Sequence, residues 1–421
     1  MFRRRVAVTG MGVVASCGIG TDAFWDGLCG DAPEGDRRVH DFDPSPHFEN
    51  PKAVRRSDRC TQFAIAAADM ALEQAGTLTA DSFRRGVFIG TGIGGIATLE
   101  EQILIRHEKG SRRVSPFMVP MMMPNAAPAA VSMRHGFQGP AENTCTACAA
   151  GTHALANAAR LIAHGRCDVV LAGGSEAPFV ETAIAGFTNM TAFSSVGISR
   201  PFDAERDGFV MGEGAGIMLL EEWDMAVERG ATILAEILGG ASTADAHHIT
   251  APSPGGVGAI TCMRLALEEA GVEPDQVRHI NAHGTSTPLN DMAEALAMAE
   301  VFGPVIDARY VIQREVDYQY QESRYADTWV TKHLPKFASD YIVKNSLETK
   351  YRREVVKVHA VPRELARNKK RASKFEEQWN IHVSPGNIWY YQDDGTKSML
   401  QEAAEQGWLP YNRVRQKEVF M

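Results

Sequence analysis

A cysteine at the head of an alanine-rich stretch carries the clearest chemical signal in this chain. Cys148 precedes residues 149–164, which we expect to form a helix because alanine has the highest helix propensity. Unpaired backbone N–H groups and the positive end of the helix dipole would stabilise a thiolate there. Such a thiolate is a nucleophile that needs no neighbouring base. The alternative is that Cys145 and Cys148 are small buried hydrophobic residues.

The same segment contains a pair of cysteines with the spacing C-x-x-C. Cys145-Thr-Ala-Cys148 matches the spacing of redox motifs and of one half of a zinc site. A structural zinc needs four ligands, and the remaining five cysteines form no second pair of this kind. We therefore predict no metal site and keep the redox motif as a weaker alternative.

The second stretch that could take part in catalysis contains a histidine. Residues 280–281 read as the end of an apolar strand, and His283 begins a loop of Gly, Thr, Ser and Pro that leads into a helix carrying Asp291 and Glu294. A histidine at such a corner is placed to exchange a proton or a hydrogen bond with a ligand in a cleft. A structural histidine is the alternative, and the presence of Cys148 favours the catalytic interpretation.

Two glycine-rich stretches match the dinucleotide-binding pattern G-x-G-x-x-G/A. They are Gly10-Met-Gly-Val-Val-Ala15 and Gly90-Thr-Gly-Ile-Gly-Gly95. The first lacks a helix inside the loop and a second strand ending in an acidic residue, both of which the fingerprint requires. We therefore expect no nicotinamide cofactor, and we expect these glycines to serve tight turns where layers pack closely.

The elements that must position these residues indicate an α/β layered fold. Apolar runs bounded by glycine predict buried strands at residues 5–10, 86–90, 168–174 and 216–221. Helices are predicted at residues 60–74, 149–164, 256–270 and 289–301, and one begins near residue 21. The 421 residues are enough for two or three lobes, and 44% of them are hydrophobic.

The composition also indicates which cellular compartment and which partners to expect. The chain has no run of eighteen apolar residues and no signal-peptide pattern, so we expect a soluble, cytoplasmic protein without a membrane span. Seven cysteines without framework spacing fit a reducing compartment. A net charge of -9 disfavours nucleic acid as a partner.

The composition changes abruptly near Gly303. All nine tyrosines lie from Tyr310 onward, and only three of the 38 glycines follow Gly303. Residues 1–303 hold 23 basic and 36 acidic residues, whereas residues 304–421 hold 20 and 16. The tail is either a separate basic domain or a foreign segment joined to the rest, and we favour the join. Its fold is not predicted from the sequence.

Residues 1–303 resemble the β-ketoacyl-acyl-carrier-protein synthases of the thiolase superfamily. The resemblance is carried by ordered motifs that span this part of the chain: residues 4–12 (RRVAVTGMG), 55–58 (RRSD), 90–95 (GTGIGG), 115–117 (SPF), 146–148 (TAC), 172–174 (AGG), 199–203 (SRPFD), 206–210 (RDGFV), 212–216 (GEGAG) and 281–288 (NAHGTSTP). As a set these motifs are highly specific for the family.

The resemblance implies an α/β fold with five αβαβα layers, and a homodimer. It implies that Cys148 accepts an acyl chain from acyl carrier protein, and that its backbone N–H forms half of an oxyanion hole. His283 would be one of two histidines that assist decarboxylation of malonyl-acyl-carrier-protein, whose enolate then attacks the acyl-cysteine. Ile93, Phe187 and Phe193 would line the acyl pocket. No cofactor is implied.

The chain departs from the family after Gly303. The family's T-K-S-M-T-G-H-type segment, which supplies a lysine and the second histidine, and its Gly-Phe-Gly-Gly loop do not occur there. We therefore expect a first ketosynthase half at residues 1–215, the start of an incomplete second half at 216–303, and an unassigned segment at 304–421. We expect Cys148 to be acylated and decarboxylative condensation to be lost or greatly weakened. A non-condensing partner of the chain-length-factor type, or an inactive chimera, is the alternative.

Overall fold

The computed structural model describes residues 4–30 and 37–303, and beyond them the backbone of three strands between residues 357 and 392. The chain divides into two compact units. The first unit takes in Met1–Phe193, Val210–Ser242 and Glu269–Gly271, and the second takes in Ser194–Phe209, Thr243–Glu268 and Val272–Met421. No helix among the described residues is long and apolar enough to cross a membrane.

The described strands and helices alternate along most of the chain. The strands are β1 (Val6–Ala15), β2 (Gly18–Ile19), β3 (Arg85–Gly90), β4 (Ala141–Glu142), β5 (Val169–Glu176), β6 (Gly214–Glu222), β7 (Ala235–Glu236), β8 (Lys357–Val361), β9 (Val383–Ser384) and β10 (Asn387–Gln392). The helices are α1 (Thr21–Cys29), α2 (Pro51–Arg55), α3 (Arg59–Ala75), α4 (Ile96–Lys109), α5 (Met118–Met122), α6 (Ala126–His135), α7 (Ala150–Ala163), α8 (Glu181–Asn189), α9 (Trp223–Glu228), α10 (Val257–Ala270) and α11 (Pro288–Phe302).

A seven-stranded mixed sheet forms the centre of the first unit. Its order is β2-β1-β6-β5-β3-β4, and β7 pairs with β1. β6 is antiparallel to both of its neighbours, β1 and β5, whereas β5, β3 and β4 run parallel to one another. Parallel strands end at the same edge of a sheet. The residues that follow β3 and β5 are therefore brought together at one edge.

Both faces of this sheet are covered by helices, because successive side chains of a strand point to opposite faces. On one face α3 packs against a cluster that includes Val87, Ile89, Leu171, Ile217 and Leu219. On the other face α7 packs against a cluster that includes Val6, Val8, Phe88, Val170 and Leu220. Strands that are apolar on both faces give the continuous Val- and Ile-rich runs that the sequence analysis interpreted as buried strands.

The first glycine-rich stretch lies within a strand and not in a turn. Gly10 and Gly12 are both in β1, which continues to Ala15. A Cβ on Gly10 would lie 2.0 Å from the carbonyl oxygen of Ala71, and one on Gly12 would lie 1.9 Å from that of Ala67. The expected turn is therefore wrong, while the expected close packing is confirmed: these glycines let the backbone of α3 approach the sheet.

The helix predictions agree with the structure, and one strand prediction does not. α3, α7, α10 and α11 each begin and end within two residues of the predicted bounds, and α1 begins at Thr21. The strand expected before His283 is wrong, since residues 277–287 have no regular secondary structure. A strand needs a partner for its backbone groups, and no described strand pairs with this segment.

The second unit contains α11 and most of α10, together with a small sheet. In that sheet β10 lies between β8 and β9 and is antiparallel to both. Apart from these three strands, residues 304–421 lie outside the described residues. The boundaries expected at residues 215 and 303 remain predictions.

Candidate active site

Cys148 lies at the position that the sequence predicts, at the head of a helix. Residues Ala147–Ala149 form one turn of 3-10 helix that leads directly into α7, and the Cys148 side chain is exposed. The alternative of a buried hydrophobic residue is therefore wrong for Cys148, and also for Cys145, which is exposed as well. A cysteine at the start of a helix has the unpaired N–H groups of the first turn around it.

The residue before Cys148 holds an uncommon backbone conformation. Ala147 has a φ of 51°, in the left-handed region that costs an L-residue about 1–2 kcal/mol. On its other side, the Thr146 hydroxyl and His153 Nδ1 of α7 form a hydrogen bond of 2.8 Å. This bond spans one turn of α7 and ties the chain that enters the turn to the helix that leaves it. The turn that carries Cys148 thus has a strained backbone conformation and is held in place by a side-chain hydrogen bond.

The buried cysteines of the same unit form a contrast. Burial raises the pKa of the Cys60 thiol well above its ordinary value, and the nearby carboxylate of Asp58 adds to the effect. Burial likewise raises the pKa of Cys167. Both thiols therefore stay protonated and unreactive at neutral pH. Their burial separates them from the exposed pair Cys145 and Cys148.

The turn after β3 lies beside the cysteine turn. A Cβ built on Gly92 would be 3.7 Å from Ala147 Cα, and Cys145 Sγ donates to the Gly92 carbonyl over 3.4 Å. The Thr91 N–H donates to the carbonyl of Thr144 over 3.2 Å. The second glycine-rich stretch therefore follows a strand, as expected, and forms a wall beside residues 144–147, which lead to Cys148.

A carboxylate from the end of β5 holds this wall. Glu176 Oε2 accepts the N–H of Gly92 at 2.6 Å and that of Ile93 at 3.1 Å. It also accepts the hydroxyl of Thr91 at 3.1 Å. Burial raises the pKa of Glu176 above its ordinary value, although these three hydrogen bonds act in the opposite direction.

The residues expected to line the acyl pocket fall into two groups. Ile93 lies in the turn after β3 and is 40% exposed. Phe187 of α8 and Phe193 are brought together, with their ring centroids 5.7 Å apart at 46°. The Ala192 N–H donates to the Phe187 carbonyl, which closes the chain between the two rings. Their role in binding an acyl chain remains a prediction.

In the second unit, a carboxylate holds the loop that carries His283. Glu294 of α11 accepts the N–H of His283 at 2.6 Å through Oε1, and that of Gly284 at 2.8 Å through Oε2. Charge-assisted hydrogen bonds of this length are about twice as strong as neutral ones. The His283 side chain is exposed. Glu294 therefore replaces the missing strand partner as the support of this loop.

A buried ion pair anchors the far end of the same loop. Arg206 and Asp291 are 1% and 0% exposed, and Arg206 Nε lies 3.4 Å from Asp291 Oδ2. Asp291 also accepts the N–H of Phe202 at 2.8 Å and that of Ser286 at 3.2 Å. Ser286 is buried and has a φ of 65°. These contacts fix the loop between His283 and α11.

The sequence places Asp291 and Glu294 on the helix after His283, but it indicates neither their supporting role nor that of Glu176. Glu176 ends a strand, and Glu294 lies on the helix after His283, but neither position shows by itself which loop the carboxylate holds. The types and positions of Thr146 and His153 do not reveal from the sequence that their side chains form a hydrogen bond. Among the described residues no group of three His, Cys, Asp or Glu side chains could hold a metal ion.

Comparison with known proteins gives the family. Residues 31–226 match the model "Beta-ketoacyl synthase, N-terminal domain", and residues 234–313 match "Beta-ketoacyl synthase, C-terminal domain". A 3-oxoacyl-[acyl-carrier-protein] synthase 2 from Synechocystis is 42% identical over 325 residues, which are 72% of this chain and 77% of the relative. The two family models thus follow each other along one chain.

Solved structures agree with the sequence relatives. The ishigamide ketosynthase/chain length factor matches with a TM-score of 0.66 and 33% identity, over 72% of this chain and 78% of that one. A type II polyketide synthase acyl-carrier protein in complex with its ketosynthase, bound to the hexaketide, matches with a TM-score of 0.64 and 34% identity, over 72% and 78%. The predicted α/β fold of the thiolase type is confirmed, and the chain belongs to the beta-ketoacyl synthase family.

Proposed function

We propose that this chain is an acyltransferase of the 3-oxoacyl-acyl-carrier-protein synthase type, in which Cys148 is the nucleophile. The observation that carries the proposal is the exposed Cys148 on a strained turn at the head of α7. It lies in a chain that is 42% identical to a 3-oxoacyl-[acyl-carrier-protein] synthase 2. The proposed substrates are acyl and malonyl thioesters of acyl carrier protein.

The first half-reaction moves the acyl group. The Cys148 thiolate attacks the carbonyl carbon of the acyl thioester, and the Cys148 backbone N–H donates to the oxyanion that forms. The bond between this carbon and the carrier's sulfur then breaks, and the carrier leaves as a thiolate. It takes up a proton equivalent to the one that Cys148 released. The product is an acyl-cysteine with free carrier protein.

The second half-reaction forms a carbon–carbon bond. Loss of carbon dioxide from the malonyl thioester leaves an enolate, and a histidine N–H stabilises its oxygen without being acidic enough to protonate its carbon. The enolate carbon attacks the acyl-cysteine, the carbon–sulfur bond to Cys148 breaks, and a β-ketoacyl thioester results. We assign the enolate-stabilising role to His283, whose loop is held by Glu294.

The family uses two histidines and a Gly-Phe-Gly-Gly loop for this second step, and neither the second histidine segment nor this loop occurs after Gly303. We therefore propose that acylation of Cys148 is retained while condensation is lost or greatly weakened. We also propose residues 1–215 and 216–303 as parts of the two ketosynthase halves, and residues 304–421 as a separate segment.

The proposed assembly is a homodimer in the cytoplasm that binds acyl carrier protein. Support for the carrier comes from the solved complex of an acyl-carrier protein with its ketosynthase. Support for the compartment comes from seven cysteines that lack the spacing of a disulfide framework. Size-exclusion chromatography with light scattering tests the dimer, which predicts twice the mass of 45.9 kDa for one chain.

A second candidate is a non-condensing partner of the chain-length-factor type. It is favoured by the match to the ishigamide ketosynthase/chain length factor and by the missing second histidine segment. The two candidates differ in the chemistry of Cys148, because a partner that performs no acyl transfer has no need of a reactive thiol.

The decisive experiment is intact-protein mass spectrometry before and after incubation with a medium-chain acyl-carrier-protein thioester. The mass of the untreated chain also checks the sequence across Gly303. We expect one acyl adduct on the unaltered protein and on Cys145→Ala, and none on Cys148→Ala. An adduct that survives in Cys148→Ala contradicts the assignment of Cys148 as the nucleophile. No adduct on a folded protein contradicts the proposal and favours the non-condensing partner.

A further inference from the structure

The edge of the sheet beside Cys148 contains an acidic residue that the proposed reaction does not use. Glu176 ends β5, and its Oε2 alone accepts three hydrogen bonds from the turn that follows β3. Two of the donors are consecutive backbone N–H groups, those of Gly92 and Ile93. A single oxygen that accepts three donors at 2.6–3.1 Å is the arrangement of a charged acceptor.

The turn that Glu176 holds is tightly fitted at Gly92. A Cβ on Gly92 would lie 2.9 Å from Glu176 Oε2, so the carboxylate touches the backbone at this point. The same Cβ position would lie 3.7 Å from the Cα of Ala147, the residue before Cys148, and the Gly92 carbonyl accepts the hydrogen bond from Cys145. A shift of the carboxylate therefore moves the turn relative to the cysteine.

The turn is also fastened internally. The Thr91 hydroxyl donates to Glu176 and accepts the N–H of Gly94 at 3.0 Å. The Ile93 N–H is bound to the carboxylate while its side chain is partly exposed. The position of the Ile93 side chain is thus set by a bond at its own backbone, and that bond ends on Glu176.

We propose that Glu176 is a positioning residue whose carboxylate fixes the Gly92–Ile93 turn against Ala147 and thereby sets which acyl chain lengths Cys148 accepts. This inference rests on the proposed function of Cys148 as the acyl acceptor. Glu176 does not react itself; it acts through Ile93. The burial that raises the pKa of Glu176 agrees with a carboxylate placed for a purpose other than solvation.

The test measures a ratio of rates at Cys148 for a long and a short reagent. One series uses acyl-carrier-protein thioesters of increasing chain length, and a second uses alkyl iodoacetamides of increasing chain length, which alkylate the thiol without any carrier protein. Peptide mass mapping assigns each adduct to Cys145 or Cys148. Because the same thiol attacks both reagents, its own titration cancels in the ratio.

We expect Glu176→Ala to change the long-to-short ratio by about 5-fold to 10-fold, and Glu176→Gln to change it less because an amide oxygen still accepts hydrogen bonds. Ile93→Ala should change the ratio as well, and the double variant should match Ile93→Ala alone, since the two residues act as one unit. Effects that multiply in the double variant would contradict the proposal.

The matched control is Glu222→Gln. Glu222 ends β6 and accepts the N–H of Met225 at 2.8 Å, but it lies at the opposite end of the sheet from Glu176. The long-to-short ratio of rates in Glu222→Gln should equal that of the unaltered protein. In the unaltered protein the ratio should drift as the pH falls through the raised pKa of Glu176, and this drift should be absent in Glu176→Gln.

If Glu176→Ala does not fold, Thr91→Val removes one of the three donors, together with the acceptor for the Gly94 N–H, and keeps the side-chain volume. It should shift the ratio in the same direction by a smaller factor. An unchanged ratio in every folded variant overturns the proposal. If carrier-protein thioesters leave no adduct while the iodoacetamide ratios change as expected, the acyl-transfer function fails and the positioning role of Glu176 stands.

Discussion

Cys148 and His283 lie in regions that are built in different ways. The Cys148 turn follows a seven-stranded sheet covered on both faces, and its neighbours are strand ends and the head of α7. The His283 loop has no described strand beside it and is held by polar contacts from α11. The Cys148 turn therefore has a packed frame of strands and helices, whereas the His283 loop depends on two carboxylates, those of Asp291 and Glu294.

The largest difference is expected in the chemistry of the two half-reactions. With acyl- and malonyl-acyl-carrier-protein present together, the chain should accumulate the acyl adduct on Cys148 and form β-ketoacyl product at a rate several orders of magnitude below that of a complete synthase. Removal of one essential catalytic group typically has an effect of this size. The measurement is quantification of adduct and product by mass spectrometry. Product formation at the rate of a complete synthase would contradict the proposed difference between retained acylation and weakened condensation.

The buried ion pair gives the next largest effect. Asp291→Ala leaves Arg206 buried without its counter-charge, which typically costs about 3–5 kcal/mol. We expect this loss of unfolding free energy in urea titrations that follow the second unit by hydrogen exchange. Amides of β5 and β6 should keep their protection at urea concentrations where those of residues 283–291 have lost it.

The control for this variant is Phe63→Ala, in the core of the first unit. Phe63 is fully buried on α3, and its truncation typically costs about 3–5 kcal/mol. This variant should lower the protection of β5 and β6 instead. If both variants lower the protection of all segments equally, the two regions unfold as one and the comparison fails.

A smaller effect is expected at the His283 loop itself. Glu294→Ala removes the charged acceptor for the N–H groups of His283 and Gly284, and a hydrogen bond to a charged group typically contributes about 1.5–3 kcal/mol. Hydrogen exchange of these two amides should therefore accelerate about 10-fold to 100-fold. The control is Glu300→Ala, also on α11, which removes an exposed ion pair with Arg264 of α10 and should leave these two amides unchanged. Equal acceleration of this hydrogen exchange in both variants would contradict the supporting role of Glu294.

The smallest effect concerns acid stability in the first unit. Burial by itself raises the pKa of Asp69, but hydrogen bonds from His135, Arg134 and His47 outweigh it and hold the pKa well below its ordinary value. An acid with a lowered folded pKa contributes stability above its unfolded pKa, and that contribution is lost as the pH falls toward the folded pKa.

We therefore expect Asp69→Asn to lower the unfolding free energy by about 1–2 kcal/mol at pH 7, with a difference that shrinks below about pH 4. Urea titrations of both proteins at a series of pH values provide the measurement. A difference that is constant with pH would show that Asp69 acts by packing alone.

Local sequence patterns predicted most of the helices and strands. The features that depend on contacts between distant parts of the chain were not predicted. Apolar periodicity located α3 and α7, and alanine content placed Cys148 at a helix start. Ala147 has a left-handed φ and lies beside Gly92, a residue more than fifty positions earlier, and no local pattern contains either feature. The expected strand before His283 failed because a strand is defined by its partner, and no described strand pairs with residues 277–287.

The place of β6 in the sheet has a consequence for synthesis of the chain. β1 ends at Ala15, yet its main partner, β6, begins at Gly214. A ribosome adds residues at about 5–20 per second, so the first strand waits roughly 10–40 seconds before its partner exists. Throughout that time its apolar side chains and one edge of backbone groups are open to other nascent chains. Chaperone capture during this interval is expected to govern the yield of folded protein.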